Sequence, residues 1–246
     1  SGYTSGASFT HANGSIDVRG GTLAMTNVLH GASFAGWILG NEGGAINAVN
    51  CTFAGARDNG DLRNVAYTQT SGSAAFRNCI FRDNAGGDTY IGGGTAPAFA
   101  YCVTQSEQSG TDNSTADPLF GDAVYFHPQS LAGRLADGWF SDGTWTVDAV
   151  QSPLIDAGDA GMPVGAEPQP NLYRINAGYD GGTAAASKSN AGSTPVVEDD
   201  VLNIFAYDAT DLVSDGATVS ADVASTGGGA NPAVTVVWGT ADAGTN

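Results

Sequence analysis

The sequence predicts an all-β protein built mainly as a parallel β-solenoid. Three observations predict it: short apolar segments repeat through the first half, the residue balance favours turns over helices, and Gly-rich stretches separate the repeated segments. Asp outnumbers Glu by 21 to 4, seven Arg accompany a single Lys, and Gly occurs 36 times. Glu and Lys suit helix interiors, whereas Asp, Asn and Gly suit turns. No window carries a sustained helical period.

The repeat comprises LAMTNVLH (23–30), INAVNCTF (46–53), AAFRNCIF (74–81) and PAFAYCVT (97–104), stepped by 23, 28 and 23 residues. Asn27, Asn50 and Asn78 share one column, with Tyr101 in the fourth segment. Val28, Cys51, Cys79 and Cys102 share the next, and His30, Phe53, Phe81 and Thr104 a third. Such a period fits one coil per repeat, with equivalent positions stacked at about 4.8 Å. Asn tolerates the left-handed backbone of a sharp bend and can bond to its equivalent one coil away. Met25, Phe76, Cys79 and Phe81 are therefore expected to point inward, and Arg77, Ile80, Arg82 and Asp83 outward. GNEGG (40–44), the long stretch 55–72 and the stretch 82–94 are expected to be loops.

The same stacking assigns Cys51, Cys79 and Cys102 as buried filler. Stacked Cβ atoms about 4.8 Å apart exceed the roughly 3.8 Å that a disulfide prefers. Nor does a column supply the converging ligands of a zinc site.

The formal net charge of −17 disfavours nucleic acid and anionic lipid as partners, and no apolar run is long enough to span a membrane. The sequence opens without Met or a signal peptide, as expected of a mature segment or a fragment.

From Asp117 the motifs DPLF, FHPQSLAGR, GTW, SPLIDAGD and RINAGYDGGTAAASKS follow one another. This order resembles the C-terminal part of secreted right-handed parallel β-helix repeat proteins of planctomycete and verrucomicrobia type. The resemblance covers about residues 20–189 and implies a right-handed parallel β-helix over 1–185, ended by a capping section from about 117, and an exported protein. A cap needs fixing, and Arg174 is expected to pair with Asp156 or Asp159. The alternative for these carboxylates is a Ca2+ site with neighbouring carbonyls, since both are hard oxygen ligands; no cofactor is otherwise required.

A small, polar linker follows at 186–196. Residues 197–246 contain three β-type segments, VLNIFAYD (201–208), ATVSADVAS (217–225) and AVTVVWGT (233–240). They resemble the opening of an Ig-like or fibronectin-like module, an incomplete sandwich. Open strand edges at both ends are expected to recruit other copies, or the remainder of a longer chain, by strand addition.

Two functions are expected. The first is an extracellular structural or adhesive surface protein, a rigid spacer assembling end to end into a filament or layer. The second is a carbohydrate-active β-helix (lyase, hydrolase or glycan-binding module) acting on extracellular polysaccharide. Its groove candidates are Arg57, Asp58, Asp61, Arg63, Arg77, Arg82 and Asp83. A polygalacturonase-like site needs clustered Asp, His-Gly and Arg-Ile-Lys. Here Asp199–Asp200 sits beside the linker, His30–Gly31 stands alone, and Arg174–Ile175 is followed by Asn176. No catalytic residue is assigned, and His11, His30 and His127 are expected to be structural. Aromatics in a groove beside carboxylates would favour the carbohydrate reading.

Overall fold

The computed structural model describes residues 8–12, 15–31, 36–57, 63–140, 142–190, 202–206, 210–213, 216–218 and 221–226. It forms two compact units, Ser1–Ser193 and Thr194–Asn246, that divide within the expected linker. The chain is all-β, with no helix among the described residues.

In the first unit β1 (Ser8–Ala12) forms an antiparallel hairpin with β2 (Ser15–Gly20). β2 and β3 (Thr22–Thr26) pair in parallel with successive halves of the long β5 (Trp37–Val49). β5 pairs along its length with β7 (Val65–Arg77). β7 then pairs with β9 (Thr89–Ile91) through one half and β10 (Ala98–Ala100) through the other, and β10 with β11 (Gly110–Thr111). A second parallel sheet stacks β4 (Leu29–Gly31), β6 (Thr52–Ala54) and β8 (Ile80–Arg82).

The repeat alignment and the strand register coincide. Leu23 faces Ile46, which faces Ala74; Met25 leads to Ala48, Phe76 and Phe99; His30 leads to Phe53 and Phe81. Between the two sheets Asn27, Asn50, Asn78 and Tyr101 all bend the chain with φ of 53°, 48°, 52° and 54°. This left-handed region costs most residues about 1–2 kcal/mol and is cheapest for Gly, then Asn. The backbone ladder passes through the bend unbroken, with Asn27 N donating to Val49 O (3.2 Å), Asn50 N to Arg77 O (3.0 Å) and Asn78 N to Ala100 O (3.1 Å).

Inside, Phe76 stacks on Phe99 (5.2 Å) and meets Phe81 edge-on (5.1 Å). The three cysteines are free and buried. Each thiol donates to the carbonyl two residues before it, Val49, Arg77 and Ala100, at 3.3 Å. Burial pushes the Cys79 thiol well above its ordinary pKa, which suppresses the reactive thiolate.

Several expectations need correction. GNEGG lies within β5 and residues 65–72 within β7, so neither is a loop. Two buried amides make these strands possible. Asn41 Oδ1 accepts from Gly43 N (3.1 Å) and Gly44 N (2.8 Å), while its Nδ2 donates to Ser73 O (3.0 Å). Gln69 Nε2 donates to the carbonyls of Gly93 and Thr95, both at 2.8 Å. They let the chain kink without leaving buried backbone groups unpaired. Gly72 (φ 86°) is required beside them, because a Cβ there would lie 2.2 Å from Gly44 O.

The section from about 117 lies as a strap against the outward face of the β4–β6–β8 sheet. Ile80 faces away from the main core as expected, yet it is buried against Val103, Leu154 and Phe120. Arg77 faces outward and is exposed, as expected, and it forms an ion pair with Asp159. The Asn column holds this strap. Asn27 Nδ2 donates to Tyr179 O (2.8 Å) and Gly181 O (2.7 Å), and Asn50 Nδ2 to Asn176 O (3.2 Å). Asn78 Nδ2 donates to Asn50 Oδ1 (3.0 Å) and its Oδ1 accepts from Asp159 N (2.8 Å). The amide-to-amide ladder is thus one link, with the remaining amides turned to the strap.

Of the two partners expected for Arg174, Asp159 pairs with Arg77, whereas Asp156 feels the Arg174 charge and accepts from Ser189 Oγ (2.7 Å). Arg174 Nε donates to Gly158 O (2.7 Å). The start of the expected linker is packed as well: Ala186, Ser187 and Ser189 are buried, and Ser187 Oγ donates to Pro128 O (2.6 Å). In the second unit β14 (Leu202–Ala206) pairs antiparallel with β17 (Ala221–Thr226), and β15 (Thr210–Val213) with β16 (Gly216–Thr218). The expected segment 233–240 lies outside the described residues. In the strap β12 (Arg134–Ala136) and β13 (Thr144–Thr146) form an antiparallel hairpin.

Replacing Asn78 by Ala both strains the bend and removes two buried hydrogen bonds, so urea denaturation should show a loss of about 3 kcal/mol. Asn78→Gly, which accepts the bend, should recover about 1 kcal/mol of that; equal stability of Asn78→Ala and wild type would contradict the role given to the column. The three thiols should resist a disulfide reagent in the native protein and all react once it is denatured.

Candidate functional site

The strap creates a groove of about 680 Å3 along the flank of the β4–β6–β8 sheet. One side comes from the Asn27 bend and β4, through Val28, Leu29 and Gly31, with Arg57 beyond β6. The other comes from the 123–126 turn and the β12–β13 connection, through Val124, Phe126, Trp139 and Phe140. An adjoining depression shares Arg57, Ala123 and Phe126 and adds Asp83 and Asn84.

The lining is apolar and its rings are held in place. Trp139 is 52% exposed and Phe140 41%, an unusual exposure for two adjacent large aromatics. Trp139 rests edge-on against Tyr125 (5.0 Å), Phe140 against Tyr179 (5.4 Å) and Phe126 against Phe120 (5.3 Å). Arg134 ties the hairpin to its surroundings, with Nε 2.9 Å from Asp148 Oδ2 and Nη1 3.7 Å from Asp122 Oδ2. Asp122 Oδ1 in turn accepts from the backbone of Val124 (2.8 Å) and Tyr125 (2.6 Å).

Behind the aromatic loop lies a buried polar node. His127 Nδ1 is 2.8 Å from Asp180 Oδ2 and Nε2 is 2.8 Å from Gly138 O. Both of these neighbours are acceptors, and the Tyr179 hydroxyl lies 2.9 Å from Nε2 as well, so the ring is bonded through both nitrogens. Burial works to lower the His127 pKa and the Asp180 carboxylate outweighs it, so the net shift is upward. Tyr179 OH donates to Tyr125 O (2.7 Å) beside the same ring. The node fixes Gly138, the residue before Trp139, and so positions the exposed ring. His127 is shut off from solvent.

Glu167 is a second buried acid. Its Oε1 accepts from Asn176 N and Gly182 N, both at 2.8 Å, while Oε2 has no partner. Burial, with Asp180 and Asp156 nearby, pushes its pKa up to about 8, so it is largely protonated at neutral pH. Burial also raises Asp156, to about 6, against the opposing effect of Ser189 and Arg174.

Of the groove candidates chosen from sequence, Arg57 and Asp83 come together here. Arg63 sits elsewhere, its guanidinium 5.6 Å from the Trp37 ring and 4.9 Å from the Tyr90 ring, and Arg77 is engaged by Asp159. Arg82 is half-buried at the end of β8 and lines neither depression. Asp58 and Asp61 lie outside the described residues. Sequence reasoning missed Trp139 and Phe140. The signal was present in DGWFSDG (137–143), two bulky aromatics set in a turn between Asp-Gly pairs. Among the described residues no group of three or more His, Cys, Asp or Glu side chains could hold a metal ion.

No protein-family model matches the chain, and neither a curated protein nor a solved structure matches it.

The raised groups set a pH dependence. A carboxyl whose folded pKa exceeds its unfolded value binds a proton that the unfolded chain releases, so its stabilisation holds at low pH and fades as pH rises through the folded value. For Glu167 that window runs from about 4.5 to about 8, and His127, also raised, acts in the same direction. The melting temperature should therefore fall between pH 5 and pH 8. Glu167→Gln, neutral throughout with its acceptor retained, should flatten the fall; an unchanged slope in that variant would acquit Glu167.

Proposed function

We propose that the first unit is a right-handed parallel β-helix serving as an extracellular structural and adhesive surface protein, which contacts extracellular polysaccharide through the groove beside Trp139. The observation that carries the contact is a pair of exposed aromatics, braced from behind, beside Arg57 and Asp83. Aromatic faces bury apolar surface against the flat faces of sugar rings, and flanking charged groups serve the hydroxyls. The solenoid reading is supported by four repeats in one parallel register, bent at the same column. A stack of this kind is stiff, which suits a spacer.

Binding is favoured over turnover by the composition of the groove. A glycosidase needs two carboxylates across the scissile bond. Among its described lining residues the groove offers one, Asp83, with neither His nor Lys. The second unit fits the role of an Ig-like or fibronectin-like appendage on a polar linker. β1 and β11 each pair on one side only among the described residues, which favours assembly with other copies or the remainder of a longer chain.

Electrophoresis through gels containing dissolved polysaccharide should show retardation by at least one polymer. Incubation with the same polymer should release neither reducing ends nor unsaturated products. Release that is lost in Asp83→Asn would replace the adhesive reading with an enzymatic one.

A further inference from the structure

We infer that the groove takes a neutral hexopyranose polymer, with adjacent sugars seated on Trp139 and Phe140. This rests on the polysaccharide reading above and names the class of chain. Recognition of an acidic polysaccharide needs convergent cations that pair with carboxylate or sulfate groups. Among its described lining residues the groove has one, Arg57, with the opposite charge of Asp83 in the adjoining depression. Of the nearby arginines, Arg134 holds Asp148 and Asp122, Arg77 holds Asp159, and Arg82, at the end of β8, lines neither depression. Around them the whole chain carries a formal charge of −17, which repels a polyanion at long range.

What remains is a largely apolar trough, through Val28, Leu29, Val124 and Phe126, with two aromatic faces and one cation. Its volume of about 680 Å3 lies within the range of small-molecule sites, roughly 300–1,000 Å3, and accommodates a short stretch of chain. Its rings are ordered before ligand arrives. Tyr125 supports Trp139 and Tyr179 supports Phe140, so little side-chain freedom is lost on binding. Such a surface gains most from sugars that expose flat C–H faces and carry no charge.

The test is affinity electrophoresis of the full chain against hydroxyethylcellulose, xyloglucan and galactomannan on one side, and polygalacturonate and alginate on the other. Retardation by a neutral polymer is expected, weakened about tenfold or more in Trp139→Ala, as for truncation of an aromatic at the centre of a contact. Trp139→Phe should retain most of the affinity. Trp145→Ala, also exposed but outside the groove, should match wild type and controls for surface aromatics in general. A thermal melt of each variant separates lost contact from lost fold. Retardation by the acidic polymers alone overturns the neutral class and leaves the polysaccharide reading standing. No retardation by any polymer overturns both, and retardation that survives intact in a folded Trp139→Ala protein overturns the placement in this groove.

Discussion

The left-handed bend at Asn27, Asn50 and Asn78 is the constraint from which the rest of the first unit is built. It turns the chain from one parallel sheet into the next without interrupting the backbone ladder, so both sheets share one register. Sharing a register stacks Phe on Phe and thiol beside thiol in the interior. The bend also places each amide on the outer side, where it bonds to the strap. One residue type thus supplies the backbone geometry of the inner structure and the attachment of the outer one. Ala could supply neither, and Gly only the first.

The groove follows from that attachment. Its β4 side belongs to the repeats and its aromatic side to the strap, so the site exists only where the two are joined. The strap is polar in its joints, not in its surface. The buried His127 ring holds Gly138, a largely protonated Glu167 closes on two backbone amides, and Arg134 spans two carboxylates. Each is a directional contact that fixes orientation. Together they hold Trp139 and Phe140 facing solvent, where apolar packing alone would draw them inward.

Much of the ladder was legible in the sequence because it repeats. Four aligned segments identified the partners Met25, Ala48, Phe76 and Phe99 before any coordinates, and the Asn column announced its own backbone conformation. The long strands were not legible, because GNEGG reads as a turn unless Asn41 is known to satisfy the kink. A trace of it exists, since Asn41 and Gly44 recur as Gln69 and Gly72 at the same 28-residue step as the repeat. The groove was the least legible part. Nothing local brings DGWFSDG to Arg57, and proximity in sequence misdirected the choice of partner for Asp159. Arg174 is near along the chain, whereas Arg77, 82 residues away, is the one that arrives.

The hydrogen bonds from Asn27 to Tyr179 and Gly181 span 152 and 154 residues of chain. During synthesis from the N-terminus, the repeats emerge first and can stack as each appears, since every segment meets the one made just before it. The strap emerges after the repeats and must travel back to the earliest bend. Contacts of such separation form slowly, because a long loop has to close before any of them is gained. The interior can therefore be complete while the groove is still absent. A chain released early would carry a sound ladder and no groove, so an intact groove also reports that translation has passed Gly181.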